Sequence, residues 1–148
     1  MGAHPWFYLV PYQADVRRAM LELREREFRA GRYNPAVVFP DMNRSSPGAQ
    51  HDSIEDAREA ADADGTRSIL DMDDVADEPG EPDDPQFGLV TPVAPELLED
   101  LYGTDQPTRE MISDMEFLEE VERGTGVYIM VYNKGQPSEI CFAGYSYD

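Results

Sequence analysis

Cysteine, lysine and histidine are nearly missing from this chain: Cys141, Lys134, His4 and His51 are the only ones. One cysteine excludes an internal disulfide and any zinc site built on several thiolates. Inside a run of strand character, Cys141 reads as a small buried hydrophobe rather than a nucleophile. Two histidines leave little of the residue type most used for acid–base work near neutrality and for metal ligation. His51 precedes Glu55 by four residues and could share a helix face with it, but no third ligand stands nearby, so no metal site is expected. A glycine-rich phosphate loop, a G-x-S-x-G elbow and an H-E-x-x-H motif are all missing. So is any apolar run near the roughly 20 residues that cross a bilayer, and no basic stretch leads into an apolar one at the N-terminus. The expectation is a cytoplasmic protein that enters no membrane, holds no cofactor and is not built for catalysis.

Basic charge is scarce as well. Twelve basic residues face 31 acidic ones, giving a net charge of -19 and a pI near 4.2. Such a surface repels nucleic-acid phosphates and anionic membranes and favours cationic partners. No direct nucleic-acid binding is expected. At 148 residues the chain has the size of one domain. A hydrophobic content of 41% supplies an ordinary core, so the mean hydropathy of -0.58 reports a charged surface rather than disorder.

The most informative stretch is Gly126 to Asp148. Two apolar runs, Val127 to Tyr132 and Ile140 to Tyr145, flank the turn formers Asn133-Lys134-Gly135-Gln136-Pro137, which predicts a β-hairpin. Alternation along a strand puts Val127, Ile129 and Val131 on one face and Tyr128, Met130 and Tyr132 on the other. Near the N-terminus, Pro5 to Tyr12 repeats this split, with Trp6, Tyr8 and Val10 opposite Phe7 and Leu9, and Pro11 argues for a strand end or sheet edge. Both belong to one sheet, with helices expected over its aliphatic side.

Between them, Val16, Met20 and Leu23 recur at helical spacing over Gln13 to Ala30, with Gly31 as the stop. Six arginines between Arg17 and Arg32 interleave with glutamates, and the pairs Glu22–Arg26 and Glu25–Arg29 predict a self-paired solvated face. A short strand is predicted at Ala36 to Phe39. Ser53 with Asp56 resembles a capping box opening a helix from Ile54 to Ala63. Thr66 to Met72 reads as a strand, and the acidic, proline-rich segment at about 71–86 as a solvated loop. Another strand at Phe87 to Val93, a helix at Glu96 to Tyr102 and a kinked or doubled helix at Thr108 to Arg123 complete the chain; Ser113 with Glu116 suggests a second capping box. Asp62, Asp64 and Asp71 fall at calcium-loop spacing around Gly65, but Ala60 stands where the first ligand belongs. The fold class is therefore α+β: one domain over residues 1–148, with a mixed, mainly antiparallel sheet, a C-terminal hairpin and helices chiefly on one face.

Trp6, Tyr8, Tyr128, Met130, Tyr132 and Tyr145 are the candidate partner-binding residues, an aromatic patch wherever helices leave that sheet face open. The expected function is that of a small non-catalytic interaction protein, an inhibitor of immunity-protein or antitoxin type from a bacterium, which binds a basic protein partner. Two other classes stay open: a DNA mimic, and a small-ligand binder or enzyme with a pocket on the aromatic face. A deep pocket holding a carboxylate of raised pKa would mark the last. The sequence carries no signal for oligomeric state.

Overall fold

The computed structural model describes residues 4–37, 40, 46–80 and 86–147. Strand β4, Gly126–Asn133, turns through Lys134 and Gly135 into β5, Gln136–Tyr145. Both turn residues have positive φ, 53° and 78°, the geometry whose twist matches a two-residue hairpin, so the connection is tighter than the five-residue loop expected. Strand β1, Pro5–Pro11, pairs antiparallel with β5, and its two prolines cap an edge strand where a missing N–H costs no ladder bond. On the far side of β4, β3 (Leu89–Pro92) and β2 (Asp74–Val75) pair in parallel, giving the order β1-β5-β4-β3-β2. The domain is α+β with a mixed, mostly antiparallel sheet and a C-terminal hairpin.

The helical connections between strands lie over both faces of the sheet. Helix α1, Val16–Ala30, follows edge strand β1, and with α2, Ile54–Ala61, it packs on the aromatic face. Between β3 and β4, α3 (Pro95–Tyr102), the one-turn α4 (Arg109–Ile112) and a 3-10 turn at Glu116–Glu120 close the aliphatic face. Helices over the aliphatic side were thus only part of the cover, because the longest helix lies on the other side. Two cores result. Met20, Leu23, Ile69, Leu70 and Phe142 centre the first, and Ile112, Phe117, Ile129 and Val131 the second.

Helix α1 begins later than expected, where the Asp15 side chain accepts from the Arg18 amide, and it ends at Gly31 in the left-handed conformation. Ser53 caps α2 by accepting from the Asp56 amide, as its sequence pattern implies. The second capping box does not form. Met115 takes a positive φ of 60° that breaks the predicted helix in two, and Ser113 Oγ donates back to the Glu110 carbonyl. The strand expected at Thr66 to Met72 is instead a 3-10 turn at Ile69–Asp71. Polar side chains capture its amides: Ser68 accepts from Leu70 N and Asp71 from Thr66 N, so no ladder can form there. Strand pairing is displaced to Asp74–Val75, inside the expected acidic loop, whose residues 81–85 lie outside the described ones. Ala36 lies in a turn rather than a strand and Val37 in a bend; residues 38–39 are outside the description.

Candidate interaction site

The register decides what became of the aromatic face. Trp6, Tyr8 and Val10 stand opposite Gly144, Phe142 and Ile140, and Tyr128 and Met130 continue the row onto β4. The first core, built with residues of α1, α2 and the segment Ile69–Met72, covers that row. Trp6 and Tyr8 are each only 4% exposed, which leaves them no surface for a partner. Burial pushes the Tyr8 hydroxyl pKa well up, with the charge of Glu27 adding to it. Tyr128 and Met130 are half-buried against the same core, and Tyr132 stands beyond a β-bulge and belongs to neither core. Tyr145 pairs with Pro5 and so lies on the opposite face, packed on the aliphatic core. The six candidates therefore do not form one accessible patch.

Two exposed aromatic side chains meet at one end of the sheet instead, while Tyr12, 41% exposed, follows the other end of β1. Phe87, 62% exposed, precedes β3, and Tyr147, 39% exposed, follows β5. Both rings converge on Gly124: a Cβ there would stand 2.5 Å from Tyr147 Cε1 and 3.0 Å from Phe87 Cδ1. Only a residue without a side chain fits between them, and its φ of +75° suits glycine as well. Hydrogen bonds fix the three segments to one another. Gly88 N donates to the Gly124 carbonyl, Gly124 N to that of Tyr145, and Ser146 N to that of His4.

Two depressions adjoin these segments, one reached by Gln86 and Thr125 and the other by Tyr147. One, of about 450 Å³, has an apolar floor of Leu97, Phe117, Val121 and Val127, with Glu119, Glu120 and Glu122 also lining it. The other, of about 430 Å³, is polar and is lined by Arg58, Glu59, Asp62, Gly65, Asp71 and Tyr147. At its base Asp71 is 2% exposed. Thr66 donates to Asp71 Oδ1 from both its amide and its hydroxyl, each at 2.8 Å, while Oδ2 has no hydrogen-bond partner. Burial raises the Asp71 pKa, opposed by the Thr66 bonds, the nearby Arg58 charge and a backbone bond from Arg67. Arg58 is itself bonded to Asp73. The pKa of Tyr147 is raised too, first by burial and then by the charge of Asp71.

Other features have local uses. On the outer face of α1, Arg29 pairs with Glu25 at 2.7 Å, but Glu22 takes Arg18 rather than Arg26. Arg26 turns to the buried Glu27, which also binds Arg32 through both oxygens. His51 Nδ1 lies 2.7 Å from the buried Tyr33 hydroxyl, which accepts from Gln50 N as well, so the imidazole serves the loop. Among the described residues no group of three His, Cys, Asp or Glu side chains could hold a metal ion, and no helix is long and apolar enough to cross a membrane. No protein-family model, curated protein or solved structure matches the chain.

Phe87, Tyr147 and Asp71 were missed as site residues. Phe87 reads as a strand start, Tyr147 as the end of the hairpin and Asp71 as the last position of a calcium loop whose first ligand is missing.

Proposed function

We propose that this chain is a small non-catalytic interaction protein that binds a basic protein partner, as an immunity protein or antitoxin binds a cationic enzyme. The observation that carries the reading is the meeting of two exposed rings, Phe87 and Tyr147, over Gly124 beside two carboxylate-lined depressions. Large aromatic side chains with a polar rim are the composition of binding hot spots. The net charge of -19 supplies steering toward a cationic surface, which raises association rates and makes binding salt-sensitive. The anchors move from the sheet face to the sheet end, while the class of partner stays the same.

The test is affinity capture from the source cell at low and raised salt, with Phe87→Ala and Tyr147→Ala beside Tyr128→Ala. Retention of a basic protein that is lost with salt and with the first two variants, but kept by the third, supports the reading. Equal retention by all variants would remove this surface from it. A second reading, a small-ligand binder, draws on the raised carboxylate Asp71 in a polar pocket.

A further inference from the structure

We infer that the apolar depression of about 450 Å³ beside α3 is a docking groove for one apolar side chain flanked by lysine or arginine, on a segment presented by the basic partner. The inference deepens the proposed function and rests on it for the source of that segment. The floor of the groove follows from register. Thr91 pairs with Val127, so the two share the aliphatic face of the sheet, and Leu89 joins them two residues earlier on β3. Farther along β4 the same face is closed by the second core, where Ile129 is 2% and Val131 1% exposed. Leu89, Thr91 and Val127 are only half-buried, because α3 and the turn at Glu116–Glu120 stop short of them. Leu89 and Leu97 both line the groove and belong to neither core. Apolar surface left open in this way gains from a ligand that removes it from water.

The rim selects the charge of the occupant. Glu119, Glu120 and Glu122 are exposed along one wall, and among the described residues no basic side chain lines the groove. Lysine or arginine on either side of an apolar anchor meets these carboxylates, an acidic neighbour is repelled by them, and a neutral apolar ligand gains nothing from them. The walls are fixed before anything binds. Thr125 Oγ1 donates to the Glu122 carbonyl at 2.7 Å and Val121 N to that of Leu118 at 3.0 Å, which ties the acidic wall to the start of β4. Across the groove, Val93 N donates to the Tyr128 carbonyl at 3.1 Å, and Pro95 then opens α3 with Leu97 turned to the floor. A groove held like this pays little ordering entropy when it is filled. Gln86 and Thr125, which line it, are the chain neighbours of Phe87 and Gly124, so the groove continues from the two exposed rings.

The test titrates the full chain with three capped peptides, acetyl-Lys-Phe-Lys-amide, its charge-reversed form acetyl-Glu-Phe-Glu-amide and the anchorless acetyl-Lys-Ala-Lys-amide. The methyl groups of Leu89, Leu97, Val121 and Val127 are followed by NMR. The expected result is a saturable shift at millimolar peptide with the first probe alone, weakened by raised salt. Replacing the rim together, Glu119→Gln with Glu120→Gln and Glu122→Gln, should lower the affinity about tenfold, and these exposed positions leave the fold intact. Leu97→Gln, which makes one wall polar, should lower it by a similar factor while the rim charge stays. No saturable shift with the first probe, or an affinity unchanged in both variants, would overturn the inference. Equal binding of the charge-reversed peptide would assign the groove to neutral apolar ligands, and shifts that grow with protein concentration alone would assign it to a second copy; either result overturns it as well. Binding of the first probe with no basic protein captured from the cell would keep the groove and remove the proposed function. Capture that is lost in Phe87→Ala and Tyr147→Ala, with no probe binding, would do the reverse.

Discussion

The indole of Trp6 fills the space that a side chain on Gly144 would need, since a Cβ there would stand 2.6 Å from Trp6 Cζ2. The same ring lies over Gly126, where a Cβ would be 2.8 Å from Cη2. Glycine on both hairpin strands thus gives the tryptophan a flat floor, which is how the largest side chain of the chain fits into the first core. Gly144→Ala should destabilise the fold by about 3 kcal/mol, because neither the ring nor the neighbouring strand backbone can retreat. Gly103→Ala, at a positive φ with nothing within 4 Å, should cost only about 1 kcal/mol from backbone strain. Urea unfolding followed by tryptophan fluorescence measures both; equal costs would show that the indole can move aside.

Glu27 is fully buried on α1 and bound by Arg32 at 2.9 and 2.8 Å and by Arg26 at 3.0 Å. Removing one partner of a buried pair leaves the other uncompensated, so Glu27→Ala should cost about 3–5 kcal/mol, and raised salt should change that little. The exposed pair Arg29–Glu25 should contribute a few tenths of a kcal/mol and fade with salt. Denaturation at two salt concentrations separates these outcomes.

Asp71 makes stability depend on pH with a definite sign. Its folded pKa is raised, so the neutral form is favoured by folding; that contribution is complete below the ordinary carboxylate pKa and is lost as pH rises through the folded value. Asp71→Asn should remove this dependence, and its stability relative to the parent should improve between pH 4 and pH 8. A constant difference across that range would show that burial leaves the carboxyl unperturbed.

Cys141 is buried on β5 against the aliphatic core, and burial, with the charge of Glu139 adding to it, pushes its thiol pKa far up. A thiol-specific reagent should therefore fail to label it in the folded protein and label it fully once urea unfolds the chain. Prompt labelling of the native state would mean that β5 opens locally.

Phe87→Ala and Tyr147→Ala should leave the urea midpoint nearly unchanged for Phe87 and lower it slightly for Tyr147, which is less exposed. Loss of partner capture in these variants would then report a lost contact rather than a lost fold.

Local signals made much of the architecture readable. Alternation and the Lys134-Gly135 turn specify the hairpin, three apolar residues at helical spacing specify α1, and Ser53 marks the start of α2, because each is decided within a few residues of chain. The strand misplaced at Thr66 to Met72 shows the limit: a short apolar pair has no period, and the side chains of Ser68 and Asp71 determine its backbone. Tyr145 was grouped with the wrong face because its orientation follows from pairing with Pro5, at the other end of the chain.

Composition by itself determined a strongly acidic chain with two histidines and one cysteine, since charge and residue counts do not depend on how the chain folds. Only the tertiary structure decided that the first core buries Trp6 and Tyr8, that Phe87 and Tyr147 meet over Gly124, and that one acid among 31 is held nearly dry. Each of these joins segments far apart in sequence, and burial and desolvation, which select the functional groups, exist only once the chain has closed around them.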